Sequence, residues 1–114
     1  MEDLSNSNCE ACDKLTPKLD PLQANVMLGQ LQKWYLYKGE RGHFIHKRWE
    51  FKNFAEAFSL VSAISELAEK QGHHPNIEFG WGFVHVIVLT RSIGDLSKND
   101  FILAAKIDSL PEAQ

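Results

Sequence analysis

The chain has 114 residues, 44% of them hydrophobic and 24% charged, with a formal net charge of −3; that length fits one domain, and the balance is that of a globular protein rather than a disordered one. Nucleic acid is excluded as a partner, because phosphate binding needs a clustered basic surface and the longest basic run here is Lys47-Arg48. No window approaches the ~18 apolar residues of a membrane span, and the acidic, polar start Met1-Glu2-Asp3-Leu4-Ser5-Asn6 is unlike a signal peptide. The expected location is cytoplasmic, with no membrane partner.

Residues 1–19 carry Ser, Asn, Asp, Lys and Pro without an apolar period and read as an irregular arm, leaving 20–114 as the folded domain. Cys9 and Cys12 form one C-x-x-C in that arm. A structural zinc normally takes four ligands and no second pair is present, so the expectation is two plain, exposed thiols in a loose segment and no metal.

Asp20-Pro21-Leu22-Gln23 places a capping side chain, a proline at the first helical position and a glutamine three residues past the cap, which predicts a helix start. Leu22, Val26 and Leu28 to Leu31 supply its apolar stripe to about Gln32. The period then changes. Trp34, Leu36 and Tyr37 are strand formers, Gly39-Glu40-Arg41-Gly42 is a turn, and His43 to Phe51 is a second strand, with Ile45, Lys47, Trp49 and Phe51 on its buried face.

Asn53-Phe54-Ala55-Glu56 caps a long helix whose stripe is Phe54, Phe58, Val61, Ile64 and Ala68, stopped by Gly72 and Pro75. A short extended piece around Ile77 to Phe79 precedes the run 83–90, apolar on both faces as a central strand would be. Ser97-Lys98-Asn99-Asp100 caps a last helix through Ile107. The predicted fold is α+β, in the order α-β-β-α-β-β-α, with a four-stranded antiparallel sheet covered by helices on one face. Apolar residues on both faces of the 83–90 run, with Trp49 and Trp81 taken as exposed, point to a homo-oligomer.

His73 and His74 are adjacent at a helix end, where the dipole favours the imidazolium. Imidazoles there suit proton transfer, although a His-His-Pro turn also serves as a solvated helix cap. Metal binding is disfavoured, since adjacent side chains in an extended turn diverge and no third ligand is suitably spaced. For His43, His46 and His85 the expected roles are structural.

The wider pattern is Glu69-Lys70-Gln71-Gly72-His73-His74-Pro75, then Trp81 and Val84-His85-Val86, then Gly94-Asp95-Leu96-Ser97-x-x-Asp100-Phe101-Ile102-Leu103-Ala104. It resembles the pterin-4a-carbinolamine dehydratase family over most of the chain, from Asp20 to about Ile107. The resemblance implies removal of water from a 4a-hydroxy-tetrahydropterin without a metal or other cofactor, in tetrahydropterin recycling. It implies a three-histidine site in which one imidazole protonates the departing hydroxyl and another accepts the ring-nitrogen proton. His73 and His74 match two of these as catalytic residues; Glu69, Pro75, Trp81 and Asp100 match binding or supporting positions.

The third histidine of the family follows a threonine at the end of the strand, and that place is held by Arg91 in Leu89-Thr90-Arg91. Arginine cannot shuttle a proton, and losing one proton-transfer group removes on the order of 10²–10⁴ in rate. His85 does not substitute for it, since six residues of strand separate residues 85 and 91 by about 20 Å. The expectation is a degraded triad with Arg91 as a binding residue.

The family includes dehydratase-like proteins that act as Rubisco assembly factors, in chloroplasts and in bacteria with α-carboxysomes. The broken triad and the C-x-x-C arm, which resembles the bacterial and plastid side of the family, favour that chaperone-like, non-catalytic reading, with the Rubisco large subunit as partner and carboxysome association. An active dehydratase and a pterin-binding module without catalysis are the alternatives, and the resemblance implies a homodimer or homotetramer.

Overall fold

The computed structural model describes residues 3–114. Helix α1 (Pro21–Leu28) begins where the sequence places it: the Asp20 side chain accepts from the Gln23 N–H at 2.8 Å while the Gln23 side chain accepts from the Asp20 N–H, so each satisfies an orphan group of the other. It stops earlier than expected, at Leu28, because Gln30 and Leu31 close tight turns onto Met27 and Leu28. Its stripe does not face the core. Ala24 is the buried residue of α1, while Leu22 and Val26 are exposed.

Strands β1 (Tyr35–Gly39) and β2 (Gly42–Glu50) form the expected hairpin, joined by Glu40-Arg41. Gly42 sits at φ 126°, and a Cβ there would lie 1.9 Å from the Gly94 carbonyl oxygen. Glycine therefore lets the hairpin turn rest directly on the loop that follows the last strand.

Helix α2 (Phe54–Gln71) is capped by the Asn53 side chain, which accepts from the Glu56 N–H at 2.8 Å. Its buried face is Ala57, Leu60, Ile64 and Ala68, rotated from the predicted stripe. Phe54 and Phe58 lie half out of the core and meet Phe79, with ring centroids 5.4 and 6.2 Å away.

Strands β3 (Asn76–Gly80) and β4 (Phe83–Val88) complete a four-stranded antiparallel sheet ordered β1-β2-β4-β3. On the helix side Ile45, Trp49, Val84, Val86 and Val88 are buried against α2 and α3 (Lys98–Asp108). Trp49 is 8% exposed, which corrects the expectation of a surface aromatic: its ring meets Trp34 edge-on, and its indole N–H donates to the Ala113 carbonyl at 3.2 Å. Lys47 enters the same layer because its ammonium binds Asp108 at 2.9 Å.

The other sheet face is open and carries Tyr35, Tyr37, Phe44, His46, His85 and Ile87. The run 83–90 ends as a strand at Val88; Thr90 instead bridges to Asp95 across a turn, so Arg91 lies off the strand.

Nearly every residue of α3 is buried, including Asn99 to Ala105. A helix buried on nearly every side needs a cover on its outer side, and the N-terminal arm supplies it. Leu4, in a short 3-10 turn, inserts into the core at 1% exposure. The Lys106 ammonium donates to the Ser5 carbonyl at 3.0 Å, and the Glu10 N–H donates to Asn99 Oδ1 at 3.0 Å. The arm carries a short 3-10 turn and is pinned rather than loose. Cys9 and Cys12 are both half-buried instead of exposed.

Candidate functional site

Gly72 closes α2 in the left-handed conformation, φ 65°, with its N–H directed to the Ala68 carbonyl. This turn sends the next two side chains in opposite directions. His73 points inward and is 7% exposed, whereas His74 is exposed. The two adjacent imidazoles of the turn are therefore separated, one within the protein and one outside it.

His73 Nε2 lies 2.6 Å from Oδ1 of Asp100, which is fully buried at the head of α3. The other oxygen of Asp100 accepts from the Thr90 hydroxyl and from the Ser97 N–H, each at 2.9 Å. Thr90 spends its hydrogen on Asp100, so the Ser97 hydroxyl is the donor in their 2.6 Å contact. These donors satisfy a carboxylate that burial would otherwise penalise heavily. Facing that acceptor, Nε2 carries the imidazole proton, and the lone pair of the neutral ring falls on Nδ1.

Nδ1 faces Sγ of Cys12 at 3.9 Å. That sulfur accepts from the Asn99 side-chain amide at 2.8 Å, and the same amide group donates to the Glu10 carbonyl at 2.6 Å. Cys9, also in the arm, donates from its thiol to the Asn99 carbonyl at 3.5 Å. Burial pushes the Cys9 thiol up to about 12, helped by the nearby charges of Asp100 and Cys12 and opposed by Lys106.

His74 pairs through Nε2 with the Glu69 carboxylate, five residues back on the last turn of α2. Both partners are largely exposed, so water screens the pair. Arg91 is exposed as well; its guanidinium donates to the His74 carbonyl at 3.3 Å and to the Asn76 side chain. Its position is fixed by the turn closed at Thr90 and Asp95. Cys12, His73, His74, Leu89, Thr90 and Arg91 line one shallow cleft, with Pro75 half-buried immediately after it.

Of the residues singled out in the sequence, His73, His74, Glu69, Arg91 and Asp100 come together. Trp81 does not join them: it sits 72% exposed in the β3–β4 turn, and β3 carries the chain on the order of 15 Å from the histidine turn. His85 is also elsewhere, on the open sheet face, with Nε2 3.1 Å from His46 Nδ1. Cys12, Asn99, Thr90 and Ser97 escaped the sequence reading as site residues. Ser97-x-x-Asp100 was visible as a helix cap, but nothing in the arm signalled that Cys12 would reach His73. Among the described residues no group of three His, Cys, Asp or Glu side chains converges as a metal site.

A family profile described as pterin 4 alpha carbinolamine dehydratase matches residues 17–110. A protein of Saccharophagus degradans is 38% identical over 112 residues, covering 98% of this chain and 99% of its own. One of Halorhodospira halophila is 40% identical over 107 residues, covering 94% of this chain and 96% of its own. Both bear the name "Putative pterin-4-alpha-carbinolamine dehydratase". Among solved structures, a transcriptional coactivator/pterin dehydratase from Brucella melitensis is similar with a TM-score of 0.74 and 27% identity, over 82% of this chain and 97% of that one. A pterin dehydratase-like protein identified as a RuBisCO assembly factor in the alpha-carboxysome is similar with a TM-score of 0.59 and 25% identity, over 72% of this chain and 90% of that one. With the profile and full-length relatives in agreement, the chain belongs to the pterin-4a-carbinolamine dehydratase family.

Proposed function

We propose that this chain dehydrates a 4a-hydroxy-tetrahydropterin, with His73 and His74 as its two proton-transfer groups. The observation that carries the reading is the buried chain Ser97–Thr90–Asp100–His73, which orients the His73 ring through Nε2 and leaves Nδ1 on the side of Cys12, another residue that lines the cleft. In this reading Nδ1 takes the proton from the pterin ring nitrogen. His74, beside Glu69 and open to water, protonates the departing hydroxyl, so the carbon–oxygen bond breaks with release of water. Arg91 is not a proton carrier. Two of its five N–H groups are engaged by His74 and Asn76, and the remainder are free in number to hold a pterin carbonyl.

A second reading is a non-catalytic assembly protein, associated with carboxysomes and acting on the Rubisco large subunit. It is favoured by arginine at residue 91, where the family pattern carries its third histidine, and by the similarity to the alpha-carboxysome assembly factor. Either reading goes with a homodimer or homotetramer, consistent with the exposed Tyr35, Tyr37, Phe54, Phe58 and Trp81.

Stopped-flow dehydration of 4a-hydroxy-tetrahydropterin separates the two. Wild-type chain should turn over, His73→Gln should lose on the order of 10²-fold or more, and Arg91→His should be faster than wild type. Wild-type turnover no greater than that of His73→Gln, with Rubisco large subunit retained on the immobilised protein, would replace the first reading with the second.

A further inference from the structure

The dehydration chemistry leaves one nucleophile of the cleft unused. Cys12 Sγ lies 3.9 Å from His73 Nδ1, and His73 is oriented from its opposite nitrogen by Asp100 at 2.6 Å. A nucleophile, a base within reach of it and a third group fixing that base form the geometric signature of an activated side chain. The Asn99 amide, 2.8 Å from the sulfur, stands where it stabilises negative charge as it develops there. Cys12 is half-buried and lines the cleft that holds Arg91, so a molecule entering that cleft meets the residue beside a cation.

We propose that Cys12 is a modification site: a thiol that reacts with small, carboxylate-bearing disulfides through His73 acting as general base. Sγ attacks one sulfur of the disulfide as its proton passes to His73 Nδ1. The disulfide bond breaks, the electron pair leaves on the second sulfur, and that thiolate recovers the proton from the imidazolium. One thiol and one disulfide thus become a mixed disulfide at Cys12 and one free small thiol. The attached group then stands in front of Nδ1, so the same event closes the cleft to any other substrate. Cys9 takes no part as nucleophile, since its sulfur turns to the Asn99 carbonyl and burial pushes its thiol up to about 12.

The test uses the full chain carrying Cys9→Ser, so that one thiol remains, with oxidised glutathione as the probe and intact mass as the readout. At pH 7 the folded protein should form the mixed disulfide about tenfold or more faster than the same chain unfolded in urea, which reports the intrinsic reactivity of the thiol. His73→Gln should bring the folded rate down to that of the unfolded chain, with folding checked by circular dichroism. A folded rate equal to or below the unfolded one overturns the proposal, and so does a folded His73→Gln variant that reacts at the parent rate. Should His73→Gln fail to fold, the comparison of folded with unfolded parent decides by itself. Because the assay contains no pterin, its result is independent of whether the chain is a dehydratase.

Discussion

The Thr90 hydroxyl donates to Asp100 across 2.9 Å and thereby ties the segment just past β4 to the first turn of α3. Both residues are buried, and the contact holds in place the carboxylate on which His73 depends. Local helix capping and the candidate catalytic site thus share one side chain.

Thr90→Val keeps the shape but removes that donor, leaving the fully buried Asp100 short of a partner. The expected loss is about 1–3 kcal/mol of stability, seen as a lower urea midpoint at unchanged m-value. Thr90→Ser, which retains the hydroxyl, should recover most of it. A Thr90→Val midpoint equal to wild type would mean that the hydroxyl contributes nothing.

His46 and His85 meet on the open sheet face at 3.1 Å. Burial first, and the charge of His85 second, hold the His46 imidazole below its ordinary value of 6.5. The folded state therefore binds fewer protons than the unfolded state just below that value, and stability should rise with pH there. Read in the acid direction, the His46 contribution is intact above 6.5 and is lost as pH falls through that value toward the lowered folded one. Proton NMR of the ring should find the His46 midpoint below 6.5, and His85→Ala should raise it. An unchanged midpoint in His85→Ala would remove the neighbouring charge as a cause.

Leu4 lies in the arm yet is as buried as the centre of the core. Leu4→Ala should cost about 2–4 kcal/mol. It should also speed hydrogen exchange at the Cys9 and Glu10 amides, which donate to Gln71 and Asn99 respectively. An arm that merely decorates the domain would show neither effect.

The helix starts at Asp20, Asn53 and Ser97 were legible because capping depends on residues three apart in the chain, and the β1–β2 hairpin because a two-residue turn between strands is likewise local. The outward side of α1 and the rotated face of α2 were not legible. Leu22, Val26, Phe54 and Phe58 keep a helical apolar period, but burial depends on which neighbour is present, and Ala24, Ala57 and Leu60 are the residues that approach the rest of the core. Trp49 shows the same limit from the other side. Strand parity placed it inward while the oligomer argument took it as exposed, and its packing on Trp34 and Ala113 decides for the interior.

The sequence by itself determined the order of elements and the histidine turn at residues 73 and 74, because each is written in short-range spacing and residue chemistry. Tertiary structure alone decided that His73 is buried on Asp100 while His74 faces water, that Arg91 turns to the His74 carbonyl, and that an apparently loose arm brings Cys12 to His73. Those contacts join residues far apart along the chain, and α3 can be buried on every side only if the arm lies over it. Long-range closure of that kind follows from the packing of whole elements and has no signature in a local window of sequence.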